Sequence, residues 1–208
     1  MEIKTLALGL IRTNCYLVTS EKTALVIDPG FHSEKAEEFL IENSDKERII
    51  LITHAHFDHI GGALALREKT GVKIAVGSLE NEYLSDMSVN LSDRFHAHLK
   101  PFSADILLED GEEFTVGDLT VKTIFTAGHT KGGVCYLIDN TLFSGDTLFY
   151  ESIGRTDFPT GDIKNLINSI NMLIKELDGG ITVYPGHGEA TTLEHEKYHN
   201  PFLRGVGV

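Results

Sequence analysis

Cysteine, tryptophan and proline are scarce in this chain: 208 residues hold two Cys, no Trp and five Pro. Cys15 and Cys135 give no disulfide framework; this excludes the small stapled secreted scaffolds and makes a reducing cytoplasm the expected setting. No apolar run approaches the roughly 18 residues of a membrane span. The opening "MEIKTLALGLIRTNCYLV" lacks a basic leader and a small-residue cleavage site, so it reads as the first strands of a fold. No cluster of Lys or Arg exists, and the formal charge is −13. Such a surface does not neutralise phosphates, so neither nucleic acid nor an anionic membrane is an expected partner. Low-complexity tracts, Pro/Ser linkers and charge blocks are also missing. No boundary divides the chain, and a single domain over residues 1–208, made of two similar halves, is expected.

What is present is ample core material, 41% hydrophobic residues with 20 glycines as punctuation. The first half begins with strand-like runs ending in "ALVIDPG" (Ala24–Gly30). A helix over 33–43 follows, with a Ser start, early acidic residues, and Ala36, Phe39 and Leu40 on one face. Next come a strand over 48–52, a histidine-rich loop, a helix over 62–70 stopped by Gly71, the strand "VKIAVG" and a short helix from Ser78. Pattern dissolves over 87–104, a long irregular loop of the kind that often serves function, here a candidate lid. The second half restarts with alternating strands around a Gly117-Asp118 hairpin turn. It then runs into an amphipathic helix over 163–177, with Ile163, Leu166, Ile167, Ile170, Leu173, Ile174 and Leu177 at helical spacing, and into "ITVYPGHG". Two halves, each with strands first and helices after, predict two packed sheets with helices outside, a four-layer α/β arrangement. Cys135, in the apolar "GGVCYLI", reads as a core residue.

The stretch "ILITHAHFDHIGG" breaks that orderly pattern. An apolar strand ends in His54, His56, Asp58 and His59 within six residues. Three further polar residues repeat the theme at strand–glycine–loop junctions: His129 in "TAGHT", Asp146 in "LFSGDT" and His187 in "VYPGHG". Such positions present side chains at one rim of a rigid scaffold. Seven His/Asp donors exceed the four that a tetrahedral zinc accepts. They suit two divalent ions sharing Asp146, with water or hydroxide in the remaining places. A purely structural metal is the weaker reading, because such sites favour closed, cysteine-rich sets and the two cysteines stand far apart. His96 and His98 lie in the irregular loop, His195 and His199 one turn apart on an expected C-terminal helix, and His32 after "DPGF"; none shares the strand–glycine context.

With those residues in view, the chain resembles the metallo-β-lactamase superfamily over nearly its full length. The H-x-H-x-D-H signature from His54 to His59 carries the resemblance, together with Asp28, His129, Asp146 and His187 in order. The resemblance implies an αββα sandwich. It assigns His54, His56 and His129 to one metal, Asp58, His59 and His187 to the other, and Asp146 to both. Asp28 in "VIDPG" becomes a support that orients the loop and its ligands. Zinc is the first choice of metal, with iron or manganese also compatible.

Within the superfamily, a bridging Asp146 argues against antibiotic hydrolysis, and His56 argues against the di-iron flavoproteins, which carry an acid there. The chain is too short for the RNA-processing members, which add large domains. "SGDTLF", "IGRTDFPTGD" and "YPGHGEATTLEHEKYHNPFL" are similar to the small hydroxyacylglutathione hydrolases, glyoxalase II-like thioesterases. Full-length glyoxalase II has an additional helical glutathione-binding domain, which is not expected here given the short "NPFLRGVGV" ending. The implied reaction is hydrolysis of a small-molecule thioester such as S-D-lactoylglutathione by a metal-bridging hydroxide, with Asp58 orienting or deprotonating the attacking water. Arg155 either binds a substrate carboxylate, or pairs with Asp157 or caps a loop; Tyr184 reads as packing. The alternatives are an iron-dependent persulfide dioxygenase, whose branch shares a stretch like Gly154–Phe158, and a non-catalytic metal-binding module.

Overall fold

The structure is a computed structural model that describes residues 1–203; residues 204–208, the end of the "NPFLRGVGV" tail assigned above to the same domain, lie outside the described residues. The chain opens with β1 (Glu2–Leu8), β2 (Thr13–Thr19) and β3 (Thr23–Ile27), then α1 (Glu34–Glu42), β4 (Glu47–Ile52), the one-turn α2 (Phe57–Ile60), α3 (Ala63–Thr70) and β5 (Lys73–Gly77). A 3-10 helix, Ser78–Leu84, and β6 (Ile106–Leu108) complete this half. There follow β7 (Glu113–Val116), β8 (Leu119–Phe125), β9 (Val134–Ile138), β10 (Thr141–Gly145), β11 (Leu148–Phe149) and β12 (Ser152–Ile153). The chain then forms α4 (Ile163–Glu176), β13 (Thr182–Pro185), β14 (Thr191–Thr192) and α5 (Leu193–His199).

The first sheet runs β1-β2-β3-β4-β5-β6, antiparallel at its start and parallel from β3 onward. The second runs β14-β13-β10-β9-β8-β7, and β11-β12 form a separate ribbon. Strands β3, β4 and β5 are nearly continuous apolar runs because both of their faces are covered. Side chains of opposite parity therefore feed different layers. Leu25, Ile27, Ile49 and Leu51 meet Val121, Tyr136 and Phe143 between the sheets. Val26, Ile50 and Ile52 face outward onto Ala36, Leu40, Ala63 and Leu66 of α1 and α3. The second sheet buries Leu142 and Val183 against Leu166, Ile170 and Leu173 of α4. The layer order is helix, sheet, sheet, helix, the predicted αββα sandwich.

Local chemistry explains the helix limits. Ser33 caps α1 by accepting the Ala36 N–H, and Gly71 ends α3 at φ 70°, where a side chain would be strained. In α4 the 3.6-residue period puts Leu166, Ile170 and Leu173 on the buried stripe, each worth about 1.5–3 kcal/mol of transfer free energy. Asp162 caps that helix through the Lys164 and Asn165 amides at 2.8 and 3.0 Å, and its loss to Ala costs about 1 kcal/mol. Residues 87–104 contain no helix or strand, as expected. The helix from Ser78 is of the tighter 3-10 type. Among the described residues no helix is long and apolar enough to cross a membrane.

Candidate metal centre

The candidate ligands converge because each follows a strand that ends at the same rim. His54 and His56 leave β4, whose parallel neighbours β3 and β5 hold its end rigidly. Asp58 and His59 sit on α2, which starts directly after His56. His129 follows β8, Asp146 follows β10 and His187 follows β13, three strands of the second sheet. His54, His56, Asp58, His59 and His129 are at most 6% exposed, whereas the His187 side chain, at 28%, marks the open side.

Three groups have ligand atoms within 4.8 Å of one another: His54–His56–His129, His54–His59–Asp146 and Asp58–His59–His187. Asp146 spans the groups. Its Oδ1 lies 3.4 Å from His59 Nε2, and its Oδ2 lies 3.5 Å from His129 Nε2 and 3.7 Å from His187 Nε2. Asp58 Oδ2 stands 3.4 Å from His59 Nε2 and 3.3 Å from His187 Nε2. The remaining histidines fall outside these groups. His32, His96 and His98 are exposed, and His195 stacks on His199 while reaching Glu151 at 3.1 Å.

Contacts behind the rings choose which nitrogen faces inward. Asp28 Oδ2 holds His59 Nδ1 at 2.8 Å, the Arg155 carbonyl holds His129 Nδ1 at 2.7 Å, and the Thr53 hydroxyl lies 3.1 Å from His54 Nδ1. In all three cases Nε2 is left toward the cluster, an outer-partner arrangement common for metal-binding imidazoles. Thr13 donates its hydroxyl to Asp58 Oδ2 at 2.7 Å. Thr13 and Thr53 carry no motif of their own; for Thr53, the only sequence signal is its place directly before His54. Glycine is required where backbone crowds the cluster: a Cβ on Gly186 would stand 2.2 Å from Asp146 Oδ1 and 2.7 Å from His59 Cε1.

The donor set passes a test of fit for divalent cations. His54 Nε2, His56 Nε2, His59 Nε2 and Asp146 Oδ1 are buried without a hydrogen-bond partner. An unpaired buried polar atom costs about 1–3 kcal/mol, and cations at the rim satisfy His54 Nε2, His59 Nε2 and Asp146 Oδ1 together; His56 turns its Nδ1 to the cluster instead, 2.9 Å from His129 Nε2. Protonation follows the same logic. Burial, reinforced by neighbouring imidazoles, pushes His54 well below the usual histidine range and His56 to about 3; burial also lowers His129. These three are neutral and ready to donate lone pairs. Burial opposes charge on His59 and His187 too, but the Asp58 and Asp146 carboxylates overcome it and raise both; Asp28 adds to the effect at His59. Burial would raise Asp58 and Asp146, yet His59 and His187 hold them below the carboxylate range.

One side of the mouth is aromatic. Phe158 sets its ring edge-on to His56 at 5.8 Å, Phe95 contacts Phe158 at 6.3 Å, and Phe95 stacks on Phe57 at 4.9 Å. The irregular 87–104 segment thus contributes Phe95 to this wall and braces α2 through the Asn90 carbonyl, which accepts the Phe57 N–H at 2.8 Å. Arg155 lies against Phe158, 4.0 Å from the ring centre, and forks Asp157 with two 2.6 Å bonds. Tyr184 packs on Phe143 and Tyr16.

Comparison with known proteins agrees with this geometry. The family model described as "Metallo-beta-lactamase superfamily" matches residues 8–187. "Probable metallo-hydrolase YqgX" of Bacillus subtilis is 35% identical over 211 residues, covering 100% of both chains. "Hydroxyacylglutathione hydrolase GloC" of Haemophilus influenzae is 33% identical over 208 residues, covering 98% of each. Among solved structures, that of "BLEG-1 B3 metallo-beta-lactamase" superposes with a TM-score of 0.87 at 37% identity, covering 98% of this chain and 100% of that one.

Proposed function

The chain belongs to the metallo-beta-lactamase superfamily, with metal-dependent hydrolases among its relatives, and on that footing we propose that it hydrolyses small thioesters of the S-D-lactoylglutathione type. The observation that carries the reading is Asp146, set between two triads of ligand atoms at one open rim. His54, His56 and His129 would hold one divalent ion and Asp58, His59 and His187 the other, with Asp146 shared. Zinc is the first choice; iron and manganese also suit such a set. When bound, the ions supply Lewis acidity toward the thioester carbonyl and make a nucleophile of water at neutral pH.

The residues of the chain do the positioning. The Thr13 hydroxyl donates to Asp58 Oδ2 at 2.7 Å and orients the carboxylate to steer the attacking water and take its proton. Phe158 and Phe95 give one flank of the mouth an apolar surface. The thiolate is a good leaving group, so no dedicated acid is needed. Arg155 would bind a substrate carboxylate by exchanging its Asp157 partner for the substrate. The name of the Haemophilus relative supports this substrate class. The name of the structural neighbour makes a β-lactam the second substrate to assay.

The test is thiol release from S-D-lactoylglutathione by the purified protein, with and without a chelator. Chelator-sensitive release supports the proposal. Turnover of a β-lactam without thioester cleavage overturns it, as does iron-dependent oxygen uptake with glutathione persulfide.

A further inference from the structure

Glu80 is a wholly buried carboxylate, 0% exposed, on the 3-10 helix that follows β5. None of the ion pairs among the described residues includes it. Its two oxygens serve two different loops. Oε2 accepts the Ala55 N–H at 2.7 Å, and Oε1 accepts the Gly132 N–H at 3.0 Å. Ala55 stands between His54 and His56; Gly132 stands three residues beyond His129. One side chain therefore ties the loop bearing two imidazoles of a triad to the loop bearing the third.

The arrangement needs a carboxylate of this length. Both oxygens face N–H donors, so a glutamine would turn its NH2 group against one of them. A shorter aspartate cannot span the same two amides without movement. The Gly132 loop is also pressed on the 3-10 helix: a Cβ there would lie 2.6 Å from Leu79 Cβ and 3.0 Å from the Glu80 nitrogen. Asp28 completes the bracket from the other side, accepting the Thr53 N–H at 2.8 Å. The amides before and after His54 are thus each held by a separate buried carboxylate.

We propose that Glu80 is a positioning residue for the His54–His56–His129 triad, clamping the Ala55 and Gly132 amides so that the three imidazoles are preorganised before a cation arrives. The inference rests on the metal reading above and adds to it a residue that touches no ligand atom. Burial raises the Glu80 carboxyl, while the Thr130 hydroxyl and the Ala55 and Gly132 amides work against that rise.

The test is zinc binding by chelator competition in the wild-type chain, Glu80→Gln and Glu80→Asp. Loss of an outer partner typically lowers metal affinity 10–100-fold. About that loss is expected in Glu80→Gln at one site only, so zinc per chain falls from two to one at limiting chelator. Glu80→Asp, which keeps the charge, recovers part of the affinity. Two zinc ions bound with wild-type affinity in both variants, with only a lower Tm, would overturn the proposal. Should Glu80→Gln not fold, hydrogen exchange on the wild-type chain decides. Slow exchange at Ala55 and Gly132 before and after metal removal supports a preformed clamp, and fast exchange in the stripped chain refutes it. A wild-type chain that takes up no zinc refutes the metal reading itself.

Discussion

Asp28 and His59 meet in the interior, Oδ2 to Nδ1 at 2.8 Å, with the imidazole wholly buried. The same carboxylate accepts the Thr53 amide at 2.8 Å and the Thr53 hydroxyl at 2.6 Å, and that hydroxyl lies 3.1 Å from His54 Nδ1. One acidic side chain therefore orients histidines from both triads. Asp28 does this from a backbone φ of 50°, a left-handed conformation that aspartate tolerates better than most residues.

Replacing Asp28 by Asn removes one acceptor and turns an amide toward a donor. Zinc affinity is expected to fall about 10–100-fold, with loss at both sites because His59 and His54 lose support together. Chelator competition reads this directly; a change confined to one site would contradict the shared role.

Acid sensitivity of the metal-free chain follows from His56. Burial, with His129 beside it, holds its folded pKa at about 3, against 6.5 when unfolded. Between these values the unfolded chain binds a proton that the folded chain refuses, so stability from this group is full above 6.5 and is lost as pH falls toward 3. His54 and His129 act in the same direction. His59 and His187 are raised and oppose it: their contribution is full below 6.5 and lost as pH rises through their folded values. Removing His56 by substitution with Gln should make the metal-free protein lose less stability between pH 7 and 5, by up to about 2 kcal/mol. Denaturant unfolding at the two pH values checks this, and equal losses in both proteins would disprove the assignment.

Gly186→Ala places a Cβ against both Asp146 and His59. A misplacement near 1 Å at reacting groups costs on the order of 100-fold, and kcat should fall by that much while secondary structure is unchanged. Wild-type turnover would show that Asp146 is not held where the account requires.

Arg155→Ala should raise KM about three- to tenfold for thioesters bearing a carboxylate, a modest figure because the guanidinium is solvent-screened. The kcat is expected to stay near wild type, and neutral thioesters should show no change. Equal effects on charged and neutral substrates would mean that Arg155 serves only its fork with Asp157.

Much of the architecture is legible in the chain because it rests on period and punctuation. The stripe Leu166, Ile170 and Leu173 reveals α4, and the unbroken apolar runs of β3, β4 and β5 signal strands covered on both faces. The seven candidate donors stand out for the same reason: each interrupts an apolar strand beside glycine or falls in one tight motif. Thr13, Thr53 and Glu80 were not legible. Their roles depend on distances across 45, 25 and 25 residues of sequence, which only tertiary packing sets. Arg155 shows the limit from the other side. Its sequence allows either a substrate carboxylate or Asp157, and the folded chain presents the second contact without testing the first.

The most direct test of the central claim is to strip the protein of metal and titrate zinc back while following both bound ion and thiol release from S-D-lactoylglutathione. Two ions are expected to bind per chain, and hydrolysis, absent from the stripped protein, should return as the pair of sites fills. Thioester cleavage that persists in the stripped chain, or a chain that binds no ion, would contradict it.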